Sequence, residues 1–185
     1  CNNSLSMLNQ RTDGLPVNFV VRGLLDTKSF EEARAFLLRV PHASGQNYVL
    51  GGAEAIGMYE CSAGGVVEVP EEGGRLTHTN HPLASEDINA NPAFAQPAST
   101  SNTYERLRSV REHLSRAGEI NSIDAVKQAL SACDDPENPV CRPHSNEPGV
   151  NFTAAAVIYE LSTPPVMHLA PGPPCTTAFF TYEFT

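Results

Sequence analysis

The stretch QNYVLGGAEAIGMYECSAGGVVEVPEEGGRLTHTN, residues 46–80, decides the fold of this chain. Within it, apolar and polar residues alternate with a period of two, and Gly-rich turns separate the runs. The pattern predicts four short strands, at residues 47–50, 56–61, 65–69 and 75–79. Strands joined in sequence by tight turns pair antiparallel, so the stretch predicts an antiparallel meander.

Upstream of this meander the apolar residues follow a helical period. Residues 15–25 have apolar side chains at helical spacing, and Pro16 suits the first turn of a helix. Ser29 and Glu32 form a capping box that begins a second helix, which Pro41 ends. We therefore expect two consecutive helices that pack against each other.

Downstream of the meander the order of helices and strands repeats. Residues 84–100 are rich in Ala, Asn, Pro and Ser without a period, which predicts a long surface loop that could border a pocket. Helices are predicted at residues 101–116 and, after an Asn121-Ser122 cap, at 123–133. Strands are predicted at residues 152–161, 166–169 and 177–184. Helices and strands in separate runs favour the α+β class, with helices covering an antiparallel sheet.

Composition excludes several classes of protein. The 185 residues suffice for one domain, and with 41% hydrophobic and 18% charged residues the chain is globular and not disordered. A net charge of −9 argues against a nucleic-acid partner, and no apolar run approaches the ~20 residues of a membrane span. Five cysteines without a CxxC pair argue against a disulfide framework or zinc ribbon and favour a reducing, cytoplasmic location.

The densest polar cluster is His78-Thr79-Asn80-His81, at the end of the fourth predicted strand. On a strand, His78 and Asn80 would face one side and Thr79 and His81 the other, so we expect no metal site. The amide of Asn80 could donate a hydrogen bond to an oxyanion in acyl transfer. It could equally be a satisfied polar group at a strand end.

Cys1 is the second candidate for chemistry. A chain that begins with cysteine places a thiol beside an α-amine, whose ordinary pKa of ~8 allows it to act as a base. Cys1 would then be an N-terminal nucleophile. The alternative is that Cys1 is the arbitrary start of a fragment, and the residues alone leave both open.

Several phrases, in their order along the chain, resemble those of a known family. The chain is similar to the acyl-coenzyme A:6-aminopenicillanic acid acyltransferase family, the peptidase C45 group of N-terminal nucleophile (Ntn) hydrolases. The most specific phrase is His-Thr-Asn-His, and the resemblance covers nearly the whole chain. The phrases are CNNSL (1–5), LP (15–16), SGQNY (44–48), HTNHP (78–82), VCRPH (140–144) and APGPPC (170–175).

The resemblance implies an αββα four-layer sandwich and a precursor that cleaves itself to expose a cysteine at a new N-terminus. That cysteine attacks amide or thioester carbonyls. Asn80 matches the asparagine of the family's oxyanion hole. Asn3 matches an asparagine in an Asn-x-Asn type phrase and is predicted to bind substrate.

The same resemblance places the family's nucleophile upstream of the position that Cys1 matches, with several strands between them. We therefore expect residues 1–185 to be a single, incomplete Ntn-hydrolase domain that lacks its N-terminal strands. Its partner would be the upstream part of its own precursor. Cys1 would be the nucleophile only if it is the true mature N-terminus.

The predicted function is that of a cysteine-dependent acyltransferase or amidohydrolase, which acts on small amides or thioesters through an acyl-enzyme. No cofactor is expected, although an acyl-coenzyme A or another acyl donor could be the substrate, and this chain alone would be inactive. The alternative is a non-catalytic member of the same fold that binds a ligand or partner. Two features motivate it: Val150 stands where some family members carry an arginine, and the loop at residues 84–100 is unusual.

Overall fold

A computed structural model of the chain describes residues 1–94, 101–116 and 122–184. The described part contains helices and antiparallel sheets in separate runs, which confirms the predicted α+β class. The chain divides into two compact units, Cys1–Ser101 and Asn102–Thr185. Among the described residues, no helix has the length and apolar character needed to cross a membrane.

The first unit contains a four-stranded antiparallel sheet. Its strands are β1 (Asn2–Ser4), β2 (Gln46–Gly51), β3 (Ile56–Ser62) and β4 (Gly65–Glu68), in the order β1-β2-β3-β4. Strands β2 to β4 confirm the first three strands of the predicted meander. Strand β1 was not predicted, and it pairs with the outer edge of β2 although two helices separate them in sequence.

The predicted fourth strand, residues 75–79, is wrong. Glu72 and Arg75 form an isolated bridge around Gly73 and Gly74, whose φ angles are +59° and +72°. Positive φ values at two successive glycines make a tight turn, after which the chain does not pair with β4. The carbonyl of Thr79 accepts a side-chain hydrogen bond in place of a strand partner. The alternation argument for the His-Thr-Asn-His phrase therefore does not apply.

Both predicted helices of the first unit are present, as α1 (Val17–Leu25) and α2 (Phe30–Arg39). Ser29 caps α2 by accepting a hydrogen bond from the Glu32 N–H at 3.2 Å. The return bond of the capping box goes one residue further back, from the Lys28 N–H to Glu32 Oε2 at 2.8 Å.

The two helices cover one face of the sheet, and the core lies between them. Its fully buried residues come from α1, α2, β2 and β3: Val20, Leu37, Tyr48, Tyr59 and Cys61. Because side chains alternate along a strand, the neighbouring residues of β2 and β3 face the opposite side of the sheet.

The second unit confirms the remaining predicted elements. Helices α3 (Thr103–Arg116) and α4 (Ile123–Ser131) precede the strands β5 (Ala156–Glu160), β6 (Val166–Ala170) and β7 (Phe180–Glu183). These strands form an antiparallel sheet in the order β5-β6-β7, and β5 and β7 are shorter than predicted. Ser122 caps α4 through the Ala125 N–H at 3.1 Å, whereas residue 121 of the predicted cap lies outside the described residues.

One face of the second sheet is apolar and exposed. The register aligns Val157 with Leu169 and Phe180, and it aligns Tyr159 with Met167 and Tyr182, so these side chains share a face. Four of them are exposed large hydrophobic side chains: Val157 42%, Tyr159 54%, Phe180 53% and Tyr182 47%.

The predicted loop at residues 84–100 is irregular over its described part, apart from a short 3₁₀ turn at Pro92–Phe94. An antiparallel bridge joins Leu8 to Ile88 and ties the loop to the segment after β1. Residues 95–100 of this prediction lie outside the described residues.

Candidate functional site

A row of polar side chains crosses the sheet face that the helices do not cover. Asn3 on β1 is in register with Asn47 on β2, and Asn47 is in register with Glu60 on β3. Residues in register on adjacent strands point to the same face, so the three side chains are neighbours. Asn47 and Glu60 are both fully buried. A buried carboxylate and a buried amide side by side require specific partners.

Glu60 finds those partners in the segment after the His-Thr-Asn-His phrase. Its Oε1 accepts hydrogen bonds from His78 Nε2 at 2.7 Å and from the Leu83 N–H at 2.5 Å. Its Oε2 accepts from the N–H groups of Ala84 at 3.0 Å and Ser85 at 2.6 Å. Burial alone would raise the pKa of Glu60, but these four hydrogen bonds outweigh it and hold the pKa below its ordinary value.

The other end of the row contacts the same segment through Asn3. Asn3 Oδ1 accepts from Asn47 Nδ2 at 2.9 Å, and Asn3 Nδ2 donates to the backbone carbonyl of Thr79. The same Nδ2 lies 3.2 Å from Nδ1 of His78, whose Nε2 bonds Glu60. Asn3, His78 and Glu60 are thereby linked in one hydrogen-bonded group.

Asn80 lies beside this group and bonds to β1. Its Nδ2 donates to the backbone carbonyl of Ser4 at 3.2 Å. Asn3 thus bonds the carbonyl of Thr79, which precedes Asn80. Asn80 in turn bonds the carbonyl of Ser4, which follows Asn3. The structure therefore brings together two of the three residues that the sequence singled out.

Asn47 has a buried polar atom without a partner. Its Oδ1 accepts no hydrogen bond within the described part of the chain. An unsatisfied buried acceptor costs about 1–3 kcal/mol, and such atoms often mark functional positions. An N–H or O–H donor placed against this row would remove that cost.

A second carboxylate, the half-buried Asp87, fixes the far end of the segment. Asp87 accepts hydrogen bonds from Asn9 Nδ2 at 2.7 Å, Ser62 Oγ at 2.5 Å and the Gly64 N–H at 2.8 Å. Partial burial acts to raise the pKa of Asp87, and these bonds reverse the effect and lower it. A Cβ on Gly64 would lie 2.6 Å from the carboxyl carbon of Asp87, so only glycine fits this close approach.

Cys1 lies at the other end of β1. Its α-amino group donates to the Val49 carbonyl at 3.0 Å, and burial of that group lowers its pKa. Cys1 and Ser4 are three residues apart on an extended strand, which spans roughly 10 Å at ~3.3 Å per residue. In this arrangement the Cys1 thiol and the Asn80 amide do not meet at one point.

The sheet face toward the helices borders a cavity of about 440 Å³. Its lining is largely apolar and includes Val21, Leu24, Phe30, Ala33, Tyr48 and Leu50, with Cys1 at its edge. Neither Asn3 nor Asn80 lines this cavity. The cavity and the polar row thus lie on different sides of the sheet.

The sequence interpretation missed Asn47, Glu60 and Asp87 as members of the site. A readable signal existed for Glu60, because it is the one charged residue inside the strand sequence IGMYECS. In the described ranges, with their gaps at 95–100 and 117–121, no group of three or more His, Cys, Asp or Glu side chains could hold a metal ion.

The chain belongs to the acyl-coenzyme A:6-aminopenicillanic acid acyl-transferase family, whose model matches residues 2–172. The match includes Asn3, Asn47, Glu60 and Asn80, and it extends over both compact units. A comparison with curated proteins found no significant match. Family membership points to an acyltransferase type of function.

Proposed function

We propose that this chain supplies the oxyanion-binding side of a cysteine-dependent acyltransferase or amidohydrolase site. The reaction acts on small amides or thioesters through an acyl-enzyme. The proposal rests on two reciprocal hydrogen bonds. Asn3 donates to the carbonyl of Thr79, beside Asn80, and Asn80 donates to the carbonyl of Ser4, beside Asn3. These bonds place a carboxamide at a defined position beside a buried polar row, in a chain that belongs to an acyltransferase family.

Asn80 is the proposed oxyanion donor. The hydrogen bond from Asn80 Nδ2 to the Ser4 carbonyl fixes the plane of the amide. Because a carboxamide nitrogen can donate two hydrogen bonds, we assign the same nitrogen as a donor to the oxygen of the tetrahedral intermediate. A donor held in place before the reaction lowers the barrier because no reorganisation is needed as the charge develops.

Glu60 and Asp87 act as positioning residues for Asn80. Glu60 holds residues 83–85 and His78, which lie on either side of Asn80 in sequence. Asp87 ties the following residues to the β3–β4 turn. Two carboxylates with several hydrogen bonds each thus restrain the segment that carries the donor.

Asn3 stays a predicted substrate-binding residue, and its contacts suggest how it would act. Both of its side-chain polar atoms already bond protein groups, Oδ1 to Asn47 and Nδ2 to the Thr79 carbonyl. A substrate that contacts Asn3 would therefore also contact the unsatisfied Oδ1 of Asn47. That oxygen can accept a hydrogen bond from a substrate N–H.

The proposed nucleophile is a cysteine thiol at the N-terminus of the mature catalytic chain, upstream of Cys1. The thiol attacks the substrate carbonyl carbon, its proton passes to the α-amine, and the carbonyl oxygen becomes the oxyanion that Asn80 binds. Collapse of the intermediate expels the amine or thiol leaving group, which takes up the proton. Water or an acceptor amine then cleaves the thioester of the acyl-enzyme.

The position of Cys1 supports an upstream nucleophile. A reacting carbonyl must lie about 3 Å from both the nucleophile and the oxyanion donor. The roughly 10 Å of strand between Cys1 and Ser4 is too long for Cys1 and Asn80 to serve one carbonyl. Cys1 takes the nucleophilic role only if it is the mature terminus and a different donor serves it.

The acyl donor is proposed to be a small thioester or amide, and the family name suggests an acyl-coenzyme A. Val150, at the position where some relatives carry an arginine, is 46% exposed. An apolar side chain cannot pair with a charged substrate group, which favours an uncharged acyl group over one that needs an arginine.

The exposed apolar face of the second sheet supports the αββα sandwich. In such a sandwich two sheets pack face to face, and each needs an apolar inner face. The face that carries Tyr159, Phe180 and Tyr182 meets this requirement. We propose that strands from the upstream part of the precursor cover it, and that autoproteolysis of that precursor exposes the nucleophile.

Trapping of the acyl-enzyme tests this function. The full-length protein is incubated with a short-chain acyl-coenzyme A and quenched in acid, and the cysteine peptides are analysed by mass spectrometry. An acyl group on a cysteine upstream of Cys1 supports the proposal. Acylation of Cys1 would overturn the assignment of the nucleophile, and the absence of any acylated cysteine would favour a non-catalytic binding protein.

A further inference from the structure

Three of the five cysteines converge in the second unit. Cys141 Sγ lies 3.0 Å from Cys175 Sγ, and the Cys175 N–H donates to the Cys141 sulfur at 3.4 Å. Cys133 belongs to the same region, because the residue before it, Ala132, accepts a hydrogen bond from the Cys141 N–H, and its thiol interacts electrostatically with that of Cys175. Cys175 is therefore the central thiol of a cluster whose members are 8 and 34 residues apart in sequence.

The separation of Cys141 and Cys175 is close to that of a covalent bond. A disulfide has an S–S distance of about 2.05 Å, so a movement of about 1 Å would join the two sulfurs. Two sulfur atoms in ordinary van der Waals contact do not normally lie this close together. Such a separation indicates a covalent bond or a directed S–H contact.

The backbone holds both cysteines at the end of α4. The Cys141 N–H donates to the carbonyl of Ala132 at 2.8 Å. Ser131 Oγ donates to the carbonyl of Pro174 at 3.1 Å, which anchors the turn that contains Cys175. The two sulfurs are thus placed by tied backbone segments.

We propose that Cys141 and Cys175 form a reversible disulfide when the protein meets a small-molecule disulfide such as oxidised glutathione, and that Cys133 can exchange with this bond at Cys175. The cluster is then a redox modification site. It is independent of the acyl-transfer chemistry proposed for Asn80.

The reaction balances by two exchange steps. The thiolate of Cys175, which is partly accessible, attacks a sulfur of oxidised glutathione and releases one glutathione thiolate. The thiolate of Cys141 then attacks Cys175 in the mixed disulfide and releases the second glutathione. Two protein thiols are oxidised, one glutathione disulfide is reduced, and the two thiol protons pass to the released glutathiones or to the buffer.

Accessibility orders the three thiols. Cys133 is exposed, Cys175 is intermediate and Cys141 is fully buried. An oxidant from solvent therefore reaches Cys133 or Cys175 first, whereas Cys141 reacts only as the internal partner. A mixed disulfide on Cys133 reaches the same end point, because Cys175 can attack the Cys133 sulfur and then pass the bond to Cys141.

Cys61 provides an internal control. It is fully buried between the first sheet and its helices, and burial raises its pKa to about 12. Both properties make it unreactive toward a thiol-disulfide buffer. It should remain a free thiol whatever happens in the second unit.

The test is disulfide mapping of the whole 185-residue chain. The reduced protein is equilibrated with a mixture of reduced and oxidised glutathione at about pH 8, and free thiols are blocked by alkylation. Non-reducing peptide mass spectrometry then identifies the linkages. The variants are Cys133→Ser, Cys141→Ser and Cys175→Ser, each of which removes one member of the cluster.

We expect a Cys141–Cys175 linkage in the unsubstituted chain and in Cys133→Ser. In Cys141→Ser we expect a Cys133–Cys175 linkage, and in Cys175→Ser no intramolecular linkage within the cluster. Two results would overturn the proposed disulfide in natively folded, oxidised protein. Cys141 would remain a thiol that can be alkylated, or glutathione would stay bound to Cys175. Absence of the Cys133–Cys175 linkage in Cys141→Ser would overturn the exchange role of Cys133.

Discussion

Asn3 and Asn80 each hold the backbone beside the other. Asn3 Nδ2 donates to the carbonyl of Thr79, and Asn80 Nδ2 donates to the carbonyl of Ser4 at 3.2 Å. These bonds join the edge strand β1 to a segment 76 residues further along the chain. Because each side chain fixes the other's neighbouring residue, removal of either should disturb both.

The first prediction separates substrate binding from positioning at Asn3. Asn3→Ala removes the bonds to Asn47 and Thr79, so a positioning role predicts a kcat lowered by about tenfold with little change in KM. A direct substrate contact made equally in ground and transition states predicts a raised KM instead. Steady-state kinetics of the full-length protein with an acyl-coenzyme A distinguish the two.

Asn2→Ala is the matched control for this variant. Asn2 is next to Asn3 on β1, but its Nδ2 bonds Gln46 Oε1 at 3.1 Å and its side chain faces away from the polar row. It should keep nearly full kcat and KM. Equal losses in Asn2→Ala and Asn3→Ala would show that damage to the strand, and not the Asn3 side chain, causes the effect.

The second prediction concerns Glu60. In Glu60→Gln, an amide NH₂ replaces one carboxylate oxygen, and an NH₂ group cannot accept a hydrogen bond from a backbone N–H. Each carboxylate oxygen accepts from at least one backbone N–H, so either orientation of the amide leaves at least one buried donor without an acceptor. We expect the free energy of unfolding to fall by about 3 kcal/mol, measured by urea denaturation of the chain.

Glu68→Gln is the control, because Glu68 is on neighbouring β4 with 58% of its side chain exposed and only a 3.9 Å contact to Arg34. It should change stability by less than about 0.5 kcal/mol. A Glu60→Gln variant as stable as Glu68→Gln would contradict the anchoring role of the buried carboxylate.

The third prediction is acid sensitivity of the first unit. Hydrogen bonding lowers the folded-state pKa of both Glu60 and Asp87, against the opposing effect of burial. A depressed carboxylate pKa contributes stability above the unfolded-state values of about 4.3 and 3.9. That stability is lost as the pH falls through the folded-state pKa values. The Tm should therefore fall between about pH 5 and pH 3.

Asp87→Asn removes one of the two groups and should make this fall in Tm shallower. Glu54→Gln, which removes an exposed carboxylate, should leave the curve of the unsubstituted chain unchanged. The same pH dependence in all three proteins would rule out Asp87 as a source of the acid sensitivity.

The fourth prediction concerns the apolar face of the second sheet. The 185-residue chain should bind a hydrophobic dye, because Tyr159, Phe180 and Tyr182 expose about half of their surface on one face. The double substitution of Phe180 and Tyr182 by serine should reduce dye fluorescence by roughly half. Phe19→Ser, at a single exposed phenylalanine on α1, should change it little. A chain that melts cooperatively as a monomer and binds no dye would contradict an uncovered face.

Local patterns predicted most of the fold. The capping residue Ser29, the helical apolar spacing and the Gly-rich turns each specify structure over a few residues, and the helices and strands they predict are present except for the strand at residues 75–79. Strand β1 has three residues and no readable alternation, so only its pairing with β2 makes it a strand. The false strand at 75–79 has suitable residues, but its polar groups bond to side chains from β1 and β3.

The site was predictable only in part. The family phrases mark Asn80 and Asn3 as candidates, a role that stays a prediction, whereas Asn47 and Glu60 join the candidate site through strand register, which brings residues 44 and 13 positions apart into contact. The cysteine cluster was also not predictable from the sequence, since no close spacing marks Cys141 and Cys175 as neighbours. Contacts of this kind depend on the tertiary fold, and no local pattern encodes them.

Kinetics of Asn80→Ala in the full-length protein test the central claim most directly. Coenzyme A release is measured with a short-chain acyl-coenzyme A and 6-aminopenicillanic acid or water as acceptor, beside Asn2→Ala as control. If Asn80 binds the oxyanion, kcat falls by ~10²-fold or more while Asn2→Ala keeps its turnover. Unchanged turnover in folded Asn80→Ala would contradict the assignment and, with it, the proposed site.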